Sequence, residues 1–204
     1  MALTFYTNPM SRGRIVRWML EEVGQPYDTV IVDWQDKGDL RSVNPLGKVP
    51  TIVHDGRTVT EAAAICAYLA DAFPQAGLAP APADRADYYR WLFFAAGPTE
   101  AAITDKALGV EVPKDKRMMV GYGSLDDMIA TLETAVTGRD YITGGSFTAA
   151  DVYVGSQIGW GTMFGSLPKL DAFTAYLERL QARPAYKRAS EIDDALIAAA
   201  KKEG

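Results

Sequence analysis

Residues 47–69 read Gly47-Lys48-Val49-Pro50-Thr51-Ile52-Val53-His54-Asp55-Gly56-Arg57-Thr58-Val59-Thr60-Glu61-Ala62-Ala63-Ala64-Ile65-Cys66-Ala67-Tyr68-Leu69. The order of residue types predicts a strand, a tight turn, a return strand and a helix. Asp55-Gly56 is a two-residue hairpin signal between apolar or β-branched runs. Thr60 or Glu61 opens a helix whose positions up to Leu69 are almost all small or apolar, which predicts burial on more than one face. Proline has no N–H to give to a sheet, so Val49-Pro50 belongs at a strand start, where a cis bond would turn the Val49 backbone outward. An acidic side chain beside the open N–H groups of a helix start makes a polar pocket for a zwitterion. The carboxylate takes an ammonium, and the N–H groups take a carboxylate.

The Val-Pro step followed, one hairpin later, by Glu-Ala resembles the glutathione site of the soluble glutathione S-transferases. In that family the backbone at Val-Pro pairs with the cysteinyl part of glutathione, and an acidic-plus-serine step grips the γ-glutamyl end. The resemblance therefore implies glutathione contacts at Lys48, Val49, Pro50, Glu61 and Ala62. This chain departs from the pattern at Ala62, where the family has serine, so that only the backbone N–H is left. One lost hydrogen bond to a charged group costs about 1.5–3 kcal/mol.

Composition sets outer limits. The chain has 204 residues, 48% of them hydrophobic, enough for one large or two small domains with a real core. A net charge of −5 without a basic stripe argues against nucleic acid as a partner. Cys66 and His54 are the sole members of their kinds, which excludes an internal disulfide and an ordinary Cys/His zinc site, so no metal is expected. No basic segment followed by a long apolar one opens the chain, and the longest uncharged run, 152–168, is broken by four glycines. A soluble cytoplasmic protein without membrane contact is the expectation.

Upstream of the opening stretch, residues 3–6 read as a strand and Thr7-Asn8-Pro9-Met10 as a loop. Ser11 is placed to cap a helix with Ile15, Val16, Met19, Leu20 and Val23 at helical spacing, and Gly24 stops it. Arg12, Arg14, Arg17, Glu21 and Glu22 line its other face. A second strand over 29–32 completes a right-handed β-α-β unit. With a short irregular helix in 33–44, the order β-α-β-α-β-β-α resembles the thioredoxin-like half of the transferases.

The stretch 75–83 is rich in proline and alanine and marks the domain boundary. Domains are expected at 1–76 and 84–204, the second all-helical. Its helices are predicted from Asp84 through Ala95, bent or broken near Gly97-Pro98, then over 114–136, after Thr148, and over 170–181 and 184–200. Thr148 with Asp151 three residues on is an N-cap pair, and Phe147 with Val152 a hydrophobic staple.

Thiol transfer needs a thiolate. Lowering a thiol from about 8.5 by about two units takes roughly 2.7 kcal/mol, which one hydroxyl hydrogen bond at about 1.5–3 kcal/mol, with a few tenths to about one more from a helix N-terminus, suffices to supply. Ser11 is the leading residue for that role, with Tyr6 and Asn8 as alternatives in the same region of the chain. Arg12 and Arg14 offer positive charge to the thiolate or, alternatively, a solvated helix face. Trp34 and Lys37, by resemblance, contact the glycine end. Cys66 reads as a small buried hydrophobe and His54 as a turn-proximal residue.

The family rests its second, apolar substrate on the helical domain. Tyr88, Trp91, Phe94, Trp160, Met163 and Phe164 are the expected wall, with Gly155, Gly159, Gly161 and Gly165 leaving it adaptable. The resemblance implies a homodimeric, detoxifying enzyme that conjugates glutathione to a hydrophobic electrophile. Two other functions fit the same features: a binding protein that keeps the fold without conjugation, and a glutathione-dependent peroxidase or isomerase.

Overall fold

Leu3, Phe5 and Thr7 are buried while Thr4 and Tyr6 are half-buried, the alternation of a strand with both faces covered. This computed structural model describes residues 2–203, and the chain divides into two compact units. The first comprises the residues up to Leu78 together with those from Ala182 on. It holds β1 (Leu3–Thr7), α1 (Gly13–Val23), β2 (Asp28–Ile31), α2 (Leu40–Val43), β3 (Thr51–His54), β4 (Arg57–Thr60) and α3 (Ala62–Ala72). A four-stranded sheet runs in the order β2-β1-β3-β4, with β1 and β2 parallel and the other pairs antiparallel. This is the thioredoxin-like arrangement expected. Asp55 and Gly56 both take positive φ, +47° and +77°, as a two-residue hairpin turn requires. The Val49-Pro50 bond is cis.

The expected division at 84–204 needs one correction. The last helix, α9 (Pro184–Glu203), belongs to the first unit because it pairs with α1. Arg17 Nε lies 2.7 Å from Asp193 Oδ1 with both side chains buried. Arg183 makes two 2.7 Å bonds to the Glu22 carboxylate, Arg14 meets Asp194 at 2.9 Å, and Arg188 meets Glu21 at 3.2 Å. Trp18 and Tyr186 pack edge to face at 5.0 Å. Most of the charged face of α1 is therefore engaged by α9, with the Arg17–Asp193 pair buried and the Arg14–Asp194 and Glu21–Arg188 pairs at the surface. Burial pushes the Asp193 carboxyl up and the Arg17 guanidinium pulls it back.

The second unit, Ala79–Gln181, is helical: α4 (Ala86–Phe94), α5 (Glu100–Leu108), α6 (Leu125–Val136), α7 (Ala149–Phe164) and α8 (Asp171–Gln181). The break expected at Gly97-Pro98 is a wider π turn over Ala95–Thr99, with Pro98 inside it. The helix expected over 114–136 is shorter than its pattern. A 3₁₀ segment covers Lys114–Met119, and α6 starts only after Ser124, whose hydroxyl accepts from the Asp127 N–H. At the start of α7 the Thr148–Asp151 capping box is complete, and buried Asp151 also accepts from the Ile142 N–H at 2.7 Å and the Tyr176 hydroxyl at 2.8 Å. Among the described residues no helix is long and apolar enough to cross a membrane.

Candidate functional site at one end of the sheet

Strand direction decides which loops meet. β1 runs antiparallel to β3 with Tyr6 opposite Thr51, so the end of β1 lies beside the start of β3. Thr51 also faces Thr60, so the end of β4 lies there too. β2 is parallel to β1 and ends on the same side, with Thr7 opposite Ile31. The loop after β1, the loop after β2, the Val49-Pro50 step and the Glu61-Ala62 step therefore converge on one end of the sheet. Those four segments carry Asn8 and Ser11, Trp34 and Lys37, Lys48 to Pro50, and Glu61 with Ala62.

In the first loop, the Ser11 hydroxyl donates to the Asn8 carbonyl at 2.6 Å and accepts from the Gly13 N–H at 2.9 Å. The hydroxyl thus caps a first-turn N–H of α1 from one residue further out than a simple cap. Ser11 itself stays partly exposed. The Asn8 amide is anchored at both ends: one N–H donates to the Val32 carbonyl at 3.0 Å and its oxygen accepts from the Met10 N–H at 2.9 Å. Tyr6 projects to the opposite face from Phe5 and Thr7, where it lines a pocket with Val30, Val32, Lys37 and Leu40. Ser11 and Tyr6 are both half-buried, whereas Asn8 is buried. Arg14 is taken by Asp194.

Asn44 organises the approach to Pro50. Its buried amide donates to the Lys48 carbonyl at 2.8 Å and to Thr51 Oγ1 at 3.1 Å, while its oxygen accepts from Leu46. Lys37 Nζ donates to the Gly47 carbonyl at 2.8 Å, tying the loop after β2 to the same turn. Trp34 is half-exposed and Lys48 exposed. Sequence reasoning passed over Asn44; the Asn44-Pro45 dipeptide was the available turn signal. The backbone N–H and carbonyl of Val49 have no partner among the described residues.

Glu61 stands immediately before α3 with φ +65° and ψ 116°. Among the described residues only Asp55 is another non-glycine with positive φ. Such a backbone costs about 1–3 kcal/mol and persists where surroundings or function demand it. No side chain caps α3, so the first-turn N–H groups at Ala62 and beyond are open, and exposed Glu61 immediately precedes them. An ammonium and a carboxylate on one ligand would both find partners here.

The second-unit residues separate into two groups. Tyr88 and Trp91 are buried and belong to the core. Phe94 and Trp160 are half-buried, and Met163 and Phe164 are 71% and 78% exposed. Gly161 is a packing glycine rather than a source of adaptability: a Cβ there would come within 2.5 Å of the Leu167 side chain. Cys66 is fully buried, and burial pushes its thiol far up, so it offers no nucleophile. His54 packs on Phe73 and its Nδ1 lies 2.9 Å from the Tyr68 hydroxyl.

The family model described as "Glutathione S-transferase, N-terminal domain" matches residues 10–72. The chain is similar to glutathione S-transferase GstA of Escherichia coli O157:H7, 30% identical over 189 residues, which cover 88% of this chain and 90% of that one. Among solved structures it resembles a glutathione transferase from Methylococcus capsulatus, with TM-score 0.77, 27% identity and coverage of 95% and 100% of the two chains. It also resembles the theta class enzyme of Xanthomonas axonopodis pv. citri, solved with glutathione bound, with TM-score 0.73, 29% identity and coverage of 93% and 97%.

Proposed function

The chain belongs to the glutathione S-transferase family, and on that premise we propose that it binds glutathione at this end of the sheet and transfers its thiolate to an apolar electrophile. The observation that carries the reading is the convergence of the Ser11 loop, the cis Val49-Pro50 step and Glu61-Ala62 at one sheet end. The unpaired Val49 backbone is suited to the cysteinyl amide. Glu61 takes the γ-glutamyl ammonium, and the N–H groups of Ala62 and its successor take the adjacent carboxylate. Lys37 and Trp34 face the glycine end.

Ser11 stabilises the thiolate, and its present bonding sets how strongly. Its one proton now rests on the Asn8 carbonyl. Donating to a thiolate gains about 1.5–3 kcal/mol and gives up a neutral bond of about 0.5–1.5 kcal/mol. The net, about 1–2 kcal/mol, lowers the thiol pKa by roughly one unit rather than two. The electrophile is assigned to Phe94, Trp160, Met163 and Phe164, with Tyr88 and Trp91 supporting them from the core. A homodimer working in cytoplasmic detoxification completes the proposal.

The test is thermal unfolding with and without glutathione, paired with turnover of a generic electrophile, for the wild type and Ser11→Ala. Glutathione at 100 times its dissociation constant should stabilise by about 2.7 kcal/mol, a rise of roughly 5–10 °C for a chain of this size. Both proteins should shift, and Ser11→Ala should lose turnover. Absence of any shift in the wild type refutes the reading.

A further inference from the structure

The Ser11 hydroxyl owes its place to a neighbour three residues earlier. The buried Asn8 side chain spans the ends of two strands, donating to the Val32 carbonyl while accepting from the Met10 N–H. Val32 in turn donates to the Thr7 carbonyl at 2.8 Å, so the anchor is continuous with the β1–β2 ladder. With the side chain fixed at both ends, the Asn8 carbonyl is held 2.6 Å from Ser11 Oγ. The Gly13 N–H holds the same oxygen from the other side at 2.9 Å. The hydroxyl oxygen is therefore located by two backbone groups, and its proton is free to swing from one acceptor to another.

We propose that Asn8 is a positioning residue for the Ser11 hydroxyl: its side-chain anchor to Val32 and Met10 fixes the carbonyl that parks the Ser11 proton until a thiolate takes it. In this proposal Asn8 acts through Ser11 rather than on the thiol: one of its two amide N–H groups is bonded to the Val32 carbonyl, and the side chain is buried. No bond is made or broken in this step; one O–H rotates from a carbonyl acceptor to a sulfur anion. With the anchor removed, the loop carbonyl drifts, the hydroxyl samples other directions, and the preference for the anion weakens. This inference rests on the reading of Ser11 as the thiol's activating hydroxyl.

The experiment measures the thiol pKa of enzyme-bound glutathione from its thiolate ultraviolet absorbance across pH. The proteins are the wild type, Ser11→Ala, Asn8→Ala, Asn8→Ser and the Asn8→Ala/Ser11→Ala double variant. Ser11→Ala should raise the thiol pKa by about one unit and Asn8→Ala by about half as much. The double variant should titrate as Ser11→Ala alone does. Asn8→Ser keeps an acceptor for the Met10 N–H and should shift less than Asn8→Ala; it decides the matter if Asn8→Ala does not fold. A thiol pKa unmoved in both Asn8 variants but raised in Ser11→Ala overturns the inference and leaves the Ser11 reading intact. An Asn8→Ala shift as large on the Ser11→Ala background as on wild type shows an independent donor, which also overturns it. If Ser11→Ala itself moves nothing, the reading of Ser11 and the inference fall together.

Discussion

Gly13→Ala is the substitution that most directly separates close packing from helix propensity. Gly13 is the first residue of α1 and has no positive φ, so its backbone accepts alanine without strain. Propensity favours alanine in a helix by about 1 kcal/mol. Local reasoning alone therefore predicts a more stable protein. Packing predicts the reverse. A Cβ at Gly13 would overlap Thr7 Oγ1 and come 3.0 Å from Ser11 Oγ and 3.2 Å from the Asn8 carbonyl. Thr7 is fully buried and its backbone is held by the Val32 N–H, so either its side chain turns against the core or the helix shifts. Overpacking of this kind costs about 1–3 kcal/mol, occasionally more. Where the upper half of that range applies, subtracting the propensity gain leaves a net loss of about 1–2 kcal/mol, or about 2–8 °C in Tm. Because the displaced atoms include the Ser11 hydroxyl, kcat/KM for a generic electrophile should fall further than the lost stability explains. Urea unfolding of wild type, Gly13→Ala, Thr7→Ala and the double variant checks the mechanism. Thr7→Ala removes the colliding atom, so it should recover at least part of the Gly13→Ala loss as a favourable coupling energy. A neutral or stabilised Gly13→Ala, or a double variant that is merely additive, would refute the packing account.

Three further outcomes follow from the same structure. Ala62→Ser returns a hydroxyl to the start of α3 and should tighten glutathione by about 1.5–3 kcal/mol, roughly ten-fold or more, by isothermal titration. Asp151→Ala strands the buried N–H groups of Ile142 and Thr148 and the Tyr176 hydroxyl, and chemical denaturation should show a loss of about 3–5 kcal/mol. The Tyr27 phenol is pushed up to about 12, first by burial and then by its bond to Glu21. A raised value favours the neutral phenol in the folded chain, so its contribution is whole below about pH 10 and is lost as pH rises toward 12. Tyr27→Phe should therefore lose less stability across that window than wild type, by about 1 kcal/mol after allowance for partial exposure.

What the sequence disclosed was local. The hairpin over 51–60 rests on two adjacent residues, Asp55-Gly56, whose conformational needs admit few alternatives. The capping box at Thr148 and Asp151 spans three residues, and the chain really closes it. The candidate site was legible for the same reason, since Val49-Pro50 and Glu61-Ala62 are separated by a single hairpin and pair through Thr51 and Thr60. Asn44 escaped notice because its importance lies in three hydrogen-bonded groups that become neighbours only when the turn closes. The helix over 114–136 failed differently. A run of helix-forming side chains at 114–119 settles as 3₁₀, and the real start is set by the Ser124 hydroxyl ten residues later.

The charged face of α1 shows the limit most plainly. Arg14, Arg17, Glu21 and Glu22 lie at the spacing of a solvated helix face, and nothing within α1 contradicts that reading. Their partners, Asp194, Asp193, Arg188 and Arg183, stand more than 160 positions further along the chain. Each half of the pairing, read alone, is an ordinary exposed charge. Only the docking of α9 makes them one interface, and the interface changes what the residues do. Arg14, free in solvent, would have added positive potential near Ser11; bound to Asp194, that charge is largely compensated. Burying Arg17 and Asp193 together costs desolvation that their single 2.7 Å bond offsets only in part, since Arg17 Nη2 and Asp193 Oδ2 lack partners among the described residues. Breaking the pair from one side should therefore cost more than replacing both. Arg17→Met alone leaves a buried carboxylate, a loss of about 3–5 kcal/mol, whereas Arg17→Met with Asp193→Leu should recover most of it in urea unfolding. If the double variant is no more stable than the single, the pair acts through something other than mutual neutralisation.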